Sequence, residues 1–214
     1  MTIAAFLLGA WLAATPSVAE HGGNIDYTGA DGVTRTITRG GGYSDPVLSP
    51  DGHTAAFIHT DKEPDDMGFD GQASLWIVDA AIGSNGRRTG PGGKVLQPAQ
   101  NLIVVHHPTF SLDGGFVYVS AQAGVTSDEV YQIDARTGTE RLVIDGSVLA
   151  VIRTGRWRGY LLVGRHMYWP EGGSYNPVYV VRPDNKQRFM VPGSDKDDGE
   201  QSVDRWLQAH KWQA

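Results

Sequence analysis

The chain contains no cysteine. That excludes a disulfide framework, a thiolate metal centre, a cysteine nucleophile and a lipid-modified N-terminal cysteine. Cations are scarce too: 18 Lys and Arg stand against 24 Asp and Glu, a formal charge of −6 with His neutral. Phosphate neutralisation needs clustered Lys and Arg, so no nucleic-acid partner is expected. Long hydrophobic runs are absent as well. Residues 3–14 (IAAFLLGAWLAA) form the longest apolar stretch, too short to cross a bilayer as a helix, so no membrane span is expected. The chain holds 28 Gly and 11 Pro in 214 residues, well above the usual share of about 12 %. With six Trp, eight Tyr and six Phe the chain is not disordered. So many turn formers favour short strands over a helical bundle.

Residues 1–19 carry no charged side chain. The apolar run is broken by Thr15-Pro16, and Ser17-Val18-Ala19 offers small residues before Glu20. This is the layout of a secretory signal peptide, although its first residues lack Lys or Arg. Cleavage is expected after Ala19, placing the protein in the periplasm or outside the cell.

Internal repetition organises the rest of the chain. Asp45-Pro-Val-Leu-Ser-Pro-Asp-Gly-His-Thr-Ala-Ala-Phe-Ile58 aligns with His107-Pro-Thr-Phe-Ser-Leu-Asp-Gly-Gly-Phe-Val-Tyr-Val119. Pro46 matches Pro108, Ser49 matches Ser111, Asp51 matches Asp113, and Gly52 matches Gly114. Downstream, Leu75–Asp79 matches Val130–Asp134, and a third, weaker copy is Val178–Asn185 after the apolar run Tyr160–Val163. Each repeat reads as strand, Asp-Gly turn, strand, loop, strand, turn, strand. Proline cannot donate to a ladder, so Pro46 and Pro108 are expected where the first strand begins. Asp can accept backbone amides while Gly takes a positive φ, which suits a tight hairpin.

The Leu48–Gly52 and Phe110–Gly114 segments, LSPDG and FSLDG, resemble the WD40-like PD40 repeat of TolB-type β-propellers. Leu112 replaces Pro in the second copy, and the third repeat lacks Ser-x-Asp-Gly. The resemblance implies an all-β chain of antiparallel four-stranded blades. Three are expected at 46–95, 108–145 and 148–192, with Ile25–Tyr27 and Val33–Thr38 as the outer part of another. A closed six-bladed ring needs more chain, so three to four blades, as a small ring or an open arc, are expected. An arc would expose edges that invite self-association. The repeat domain is assigned to 20–194 and an acidic loop with an amphipathic C-terminal helix to 195–214. In that helix Val203, Trp206, Leu207 and His210 share a face, Ser202 is the expected N-cap, and residues 193–200 are expected to be mobile.

Catalytic signals are weak. Gly42-Tyr-Ser44-Asp-Pro46 has Pro where a nucleophile elbow needs Gly and lacks the strand–turn–helix context. His53 and His59 stand too far apart along one strand to share an ion. His106 and His107 are expected on opposite strand faces, so at most one reaches any site. The acidic runs 61–70 and 195–200 offer oxygen ligands for Ca²⁺, but neither has a closing Glu. No catalytic residue, metal ligand or cofactor is therefore assigned, Ca²⁺ being the one ion the acidic loops suit. Two loops instead suggest recognition: 61–73 with Met67 and Phe69, and 168–175 with Tyr168, Trp169 and Tyr175. The resulting expectation is a non-enzymatic propeller-type module binding a protein partner. A lactonase- or peptidase-like hydrolase with Asp, His or Ca²⁺ at the funnel is the alternative, and a truncated propeller remnant is another.

Overall fold

A computed structural model describes residues 14–63, 71–80, 104–124, 127–196 and 199–211. The strands are β1 (Ser17–His21), β2 (Asn24–Thr28), β3 (Thr34–Thr36), β4 (Tyr43–Leu48), β5 (Thr54–Lys62), β6 (Gln72–Asp79), β7 (Val105–Phe110) and β8 (Phe116–Gln122). They continue as β9 (Asp128–Asp134), β10 (Glu140–Asp145), β11 (Ser147–Val151), β12 (Leu161–Gly164), β13 (Met167–Tyr168), β14 (Ser174–Tyr175), β15 (Val178–Val181) and β16 (Arg188–Met190). One helix, α1 (Gly199–Ala209), closes the described chain.

The strands build antiparallel sheets in the orders β1-β2-β3, β4-β5-β6, β7-β8-β9-β10 and β11-β12-β15-β16, with β13-β14 as a separate hairpin. The chain is all-β in propeller-type blades with a short C-terminal helix, as the repeats imply. The expected fourth strand of the first blade lies outside the described residues. The N-terminal sheet has one strand more than expected: β1 pairs with β2 and packs beside β4. Cleavage after Ala19 would fall within that strand.

Packing derives from the alternation of side chains along each strand. In β5, Ala55 and Phe57 join Ile25, Tyr27 and Ile37 of the N-terminal segment. Their neighbours Ala56 and Ile58 turn the other way, onto Val105, Val117, Val119 and Ile133 of the second blade. In β8, Tyr118 faces Leu161, Val163 and Val181 of the third blade, while Val117 and Val119 face the first. Both faces of each inner sheet are thus apolar layers, the pattern of strands buried on two sides.

The third blade ends this stacking differently. Leu162 and Val180 face away from the second blade and are covered by Val203, Trp206 and Leu207 of α1. The helix begins at Gly199, a turn earlier than its sequence suggests. Ser202 is therefore not the N-cap: it is buried inside the first turn, where its Oγ accepts from Arg205 (3.0 Å). Nor is the preceding segment loose throughout. Ser194 is buried, accepting from the Val178 amide (3.0 Å) and donating to the Val191 carbonyl (2.8 Å).

The Ser-x-Asp-Gly turns use one hydrogen-bond set in both copies. The Asp51 carboxylate accepts from the Ser49 hydroxyl (2.5 Å) and the His53 amide (3.0 Å), and Ser49 Oγ accepts from the Thr54 amide (2.9 Å). Asp113, Ser111, Gly115 and Phe116 repeat this at 2.6, 3.0 and 2.9 Å. Gly52 and Gly114 take φ of 77° and 73°, where a Cβ would be strained. The third blade closes its turn through backbone bonds, Gly159 to Ile152 (2.8 Å) and Ile152 to Tyr160 (2.9 Å). There Trp157 packs edge-on against Tyr160.

Hydrogen bonds from Ser49 and Ser111, then from the backbone amides, hold Asp51 and Asp113 below the ordinary carboxylate range. A depressed folded-state pKa gives stability that is present above the unfolded value near 3.8 and lost as pH falls through the folded value. Asp113→Asn should lower stability by about 1 kcal/mol at neutral pH and flatten part of the acid limb below about pH 4, read by thermal melts across pH. Val203→Asp should cost more, about 2–4 kcal/mol, and raise dye binding to the uncovered third-blade face.

Candidate functional site

The inner strands β4, β7 and β11 lie side by side. Each breaks register with its partner at one place: between Ser44 and Val47, between His106 and Thr109, and between Val148 and Ala150. A bulge leaves residues unpaired and bends the strand. Pro46 and Pro108 therefore sit inside the bulges rather than at strand starts, because an unpaired position needs no amide donor. The residues turned out are Asp45, His107 and Leu149, all exposed. Asp45 and His107 have φ of 50° and 53°, a region these side-chain types tolerate better than most. With Pro46, Val47, Pro108, Thr109 and Val148 they line a cavity of about 490 Å³ shared by three blades.

The bulge also overturns the expected geometry of the histidine pair. His106 and His107 do not point to opposite faces: their Nδ1 atoms are 3.1 Å apart and their rings meet edge-on at 4.7 Å. His106 Nε2 lies 3.3 Å from Asp128 Oδ2, and the Ser147 hydroxyl donates to the same oxygen at 2.5 Å. A second- and a third-blade strand are joined through this carboxylate. The Val148 amide adds a bond to the buried Ser120 hydroxyl (2.9 Å). Burial works against ionisation of Asp128, but the hydrogen bonds from His106 and Ser147 and the nearby imidazoles hold it below the usual carboxylate range. Ser147 is bonded to a carboxylate and not to an imidazole, so the trio is not arranged as a nucleophile relay.

Leu149 is shared with a second cavity of about 280 Å³, lined by Asp128, Ser147, Arg165, His166 and Asn176 among others. Arg165 pairs with Asp145 (3.2 Å), and His166 Nδ1 contacts Asn176 Oδ1 (2.8 Å). His166 and Asn176 flank the base of the β13–β14 hairpin, which carries the expected recognition aromatics. Tyr168 is 66 % exposed and Trp169 39 %. Trp169 stacks on Tyr175 at 3.9 Å, so the two form one flat platform beside the cavity. Met67 and Phe69 lie outside the described residues. Pro46 and Pro108 serve the bulges, while Ser49, Asp51, Gly52, Ser111, Asp113 and Gly114 stay at the turn end of the strands, as blade-forming residues.

Other candidates are dispersed. His53 immediately precedes β5 and His59 lies within it, six residues further on; His59 Nδ1 meets Asp61 (2.8 Å), which also accepts from Ser74 (2.5 Å). Ser44 lies in β4, opposite Ile58. Among the described residues no three His, Asp or Glu converge as a metal-holding group. No helix among them is long and apolar enough to cross a membrane. Sequence reasoning missed Leu149, Asp128, Ser147, Arg165 and Asn176. Asp45 was visible only as the residue before a matched proline, and His107 also as one of a histidine pair considered for an ion.

No protein-family profile matches the chain, and no curated protein matches it. Solved structures do. Dipeptidyl peptidase 4 of Porphyromonas gingivalis is similar with a TM-score of 0.57 and 11 % identity, over 83 % of this chain and 31 % of that one. The tricorn protease gives 0.56 and 15 %, over 82 % and 15 %. TolB from Acinetobacter baumannii gives 0.49 and 16 %, over 81 % and 39 %. The chain thus spans between about one-seventh and two-fifths of these proteins. At such identities the likeness concerns the fold: this is a protein of β-propeller blades.

Ser147→Ala should loosen the seam between the second and third blades by about 1 kcal/mol. The sign for Asp128 is that of a depressed carboxylate, so its contribution should be present near neutrality and fade as pH falls below about 4. Hydrogen exchange of β11 amides at pH 7, parent against variant, reads the first; melting curves of the parent from pH 7 down to about pH 2.5 read the second.

Proposed function

We propose that the chain is a non-enzymatic, periplasmic or secreted propeller-type module that binds a protein partner at the bulge end of its inner strands. The observation that carries this reading is the stacked Trp169–Tyr175 pair with exposed Tyr168, whose ring meets that of His166 in the wall of the cavity of about 280 Å³. Aromatics held in place by stacking supply contact area at small entropic cost. Leu149, 56 % exposed between the cavities, adds an apolar anchor. Asp145, Arg165 and Asn176 offer a polar rim. A protein segment reaching across these features would meet exposed aromatic anchors and a polar margin, the mixture usual in interfaces.

A second reading, a propeller hydrolase acting at the funnel, draws on Asp45 and His107 facing one cavity from two blades. The two readings separate in one set of assays. The module should retain a partner from cell-envelope extract, and Tyr168→Ala with Trp169→Ala should cut that retention about 30-fold or more. It should turn over neither chromogenic esters, lactones nor aminoacyl anilides; turnover abolished by His107→Ala would establish the hydrolase instead. N-terminal sequencing of chain recovered from the periplasm should begin at Glu20, and recovery in the cytoplasm alone would remove the location from the proposal.

A further inference from the structure

Neighbouring residues of a regular strand face opposite ways, and on that ground at most one of His106 and His107 could reach any ion. The bulge removes that ground. We propose that the two imidazoles form a site for a divalent transition-metal ion of the copper, nickel or zinc type, opening into the cavity of about 490 Å³ that His107 lines.

Three features converge on this. The Nδ1 atoms stand 3.1 Å apart. Two nitrogens bound to one ion at about 2.0–2.1 Å are roughly 2.9–3.4 Å apart for square-planar to tetrahedral angles, so the pair is already at bonding separation. Next, His106 presents Nε2 to the Asp128 carboxylate (3.3 Å), which Ser147 holds in turn (2.5 Å). Metal-ligating imidazoles regularly donate their second N–H to such a carboxylate, which fixes the tautomer with the Nδ1 lone pair free. Lastly, the His107 ring is exposed, so its proton can sit on Nε2 toward the cavity and free its own Nδ1. The ion then replaces the Nδ1–H···Nδ1 contact with two N–metal bonds, and no net proton leaves.

The protein supplies two nitrogen donors, since no third His, Asp or Glu among the described residues joins the pair. The remaining coordination positions face the cavity, where water or a ligand fills them and Asp45 shares the wall. Such a site is open and exchangeable rather than a closed structural one. Imidazole donors favour copper over nickel and zinc and do not suit calcium or magnesium.

Calorimetric titration of the untagged chain with CuCl₂, NiCl₂, ZnCl₂ and CaCl₂ tests it. One Cu²⁺ should bind per chain, more tightly than Ni²⁺ or Zn²⁺, and Ca²⁺ should give no heat. His107→Ala should weaken Cu²⁺ by about 10-fold or more, while His53→Ala leaves it unchanged. Pulsed electron paramagnetic resonance should count two imidazoles on Cu²⁺ in the parent chain and one in His107→Ala. His107 is exposed, so that variant keeps the blade seam; His106→Gln, which touches the seam, is read alongside a melting curve. No binding, binding untouched by His107→Ala, a single imidazole, or Ca²⁺ binding as strongly as Cu²⁺ would each overturn the site. The Tyr168/Trp169 double variant should bind Cu²⁺ like the parent, so loss of partner recognition and loss of the metal are told apart.

Discussion

Side chains on a strand alternate between two faces, and in this chain both faces of the inner sheets must be apolar. The rest of the structure depends on that requirement. A sheet with one wet face can stand at a surface, but β5 sends Phe57 to one neighbour and Ile58 to the other, so it is stable only between two sheets. At about 25 cal/mol per Å² of apolar surface removed from water, each such layer contributes several kcal/mol, and no blade could keep its order alone. The two ends of the stack meet the requirement differently. The N-terminal sheet turns Ile25 and Tyr27 inward and presents Asp26, Thr28, Thr34 and Thr36 outward, where Thr36 donates to Asp26 (2.6 Å) and the hydroxyls of Thr28 and Thr34 pair (2.9 Å). At the other end the third blade is apolar outward and takes a helix as its cover. An amphipathic helix substitutes for a blade because one apolar stripe is all that the last face needs.

Close stacking of inner strands also explains the bulges. The inner strands β4, β7 and β11 lie side by side around one cavity, and each bends there. Two residues facing one bend the strand and release an amide, which is why proline is tolerated at Pro46 and Pro108. The third inner strand bends at Leu149 without proline. Bending has a chemical by-product: the residue before each proline is turned out into the shared cavity. Asp45, His107 and Leu149 occupy one structural position in three blades, with a different chemistry at each.

The turn end of this architecture was legible in the sequence, because Ser-x-Asp-Gly folds by its own local hydrogen bonds. Ser49 with Asp51 and Ser111 with Asp113 need nothing from the rest of the chain, so their spacing reported the first hairpin of two blades. The site was far less legible. Consecutive histidines read as opposite faces because alternation is the default, and only a positive φ at His107 brings them together. The Asp128–Ser147 bond joins residues nineteen apart across a seam between blades, and no local pattern announces it. Ser17-Val18-Ala19 illustrates a competition between readings: the small residues that suggest a cleavage point also suit a strand, and β1 contains them. In α1 the apolar stripe was readable, but its start was not. Ser202 has the chemistry of a cap, yet burial beneath the third blade draws it into the first turn.

The two ends of the strands differ in a way that locates function. At the turn end the first two repeats use the same Ser, Asp and Gly in the same roles, and the third, lacking them, still closes a hairpin with backbone bonds and Trp157. Those residues are interchangeable with another solution to the same folding problem, which marks them as structural. At the bulge end the bulge recurs, with Pro46 and Pro108 in two of the three strands, but the side chain turned out differs in each. These side chains are an acid, an imidazole and an aliphatic, and the connections that open there run 63–71, 123–127 and 165–177, the last carrying its own hairpin of aromatics. Stacking and bending set the backbone at that end but leave the outward side chains unconstrained by packing. Divergence among copies that share one backbone therefore reflects what the surface meets, not what holds it together, and it concentrates at the cavity of Asp45, His107 and Leu149.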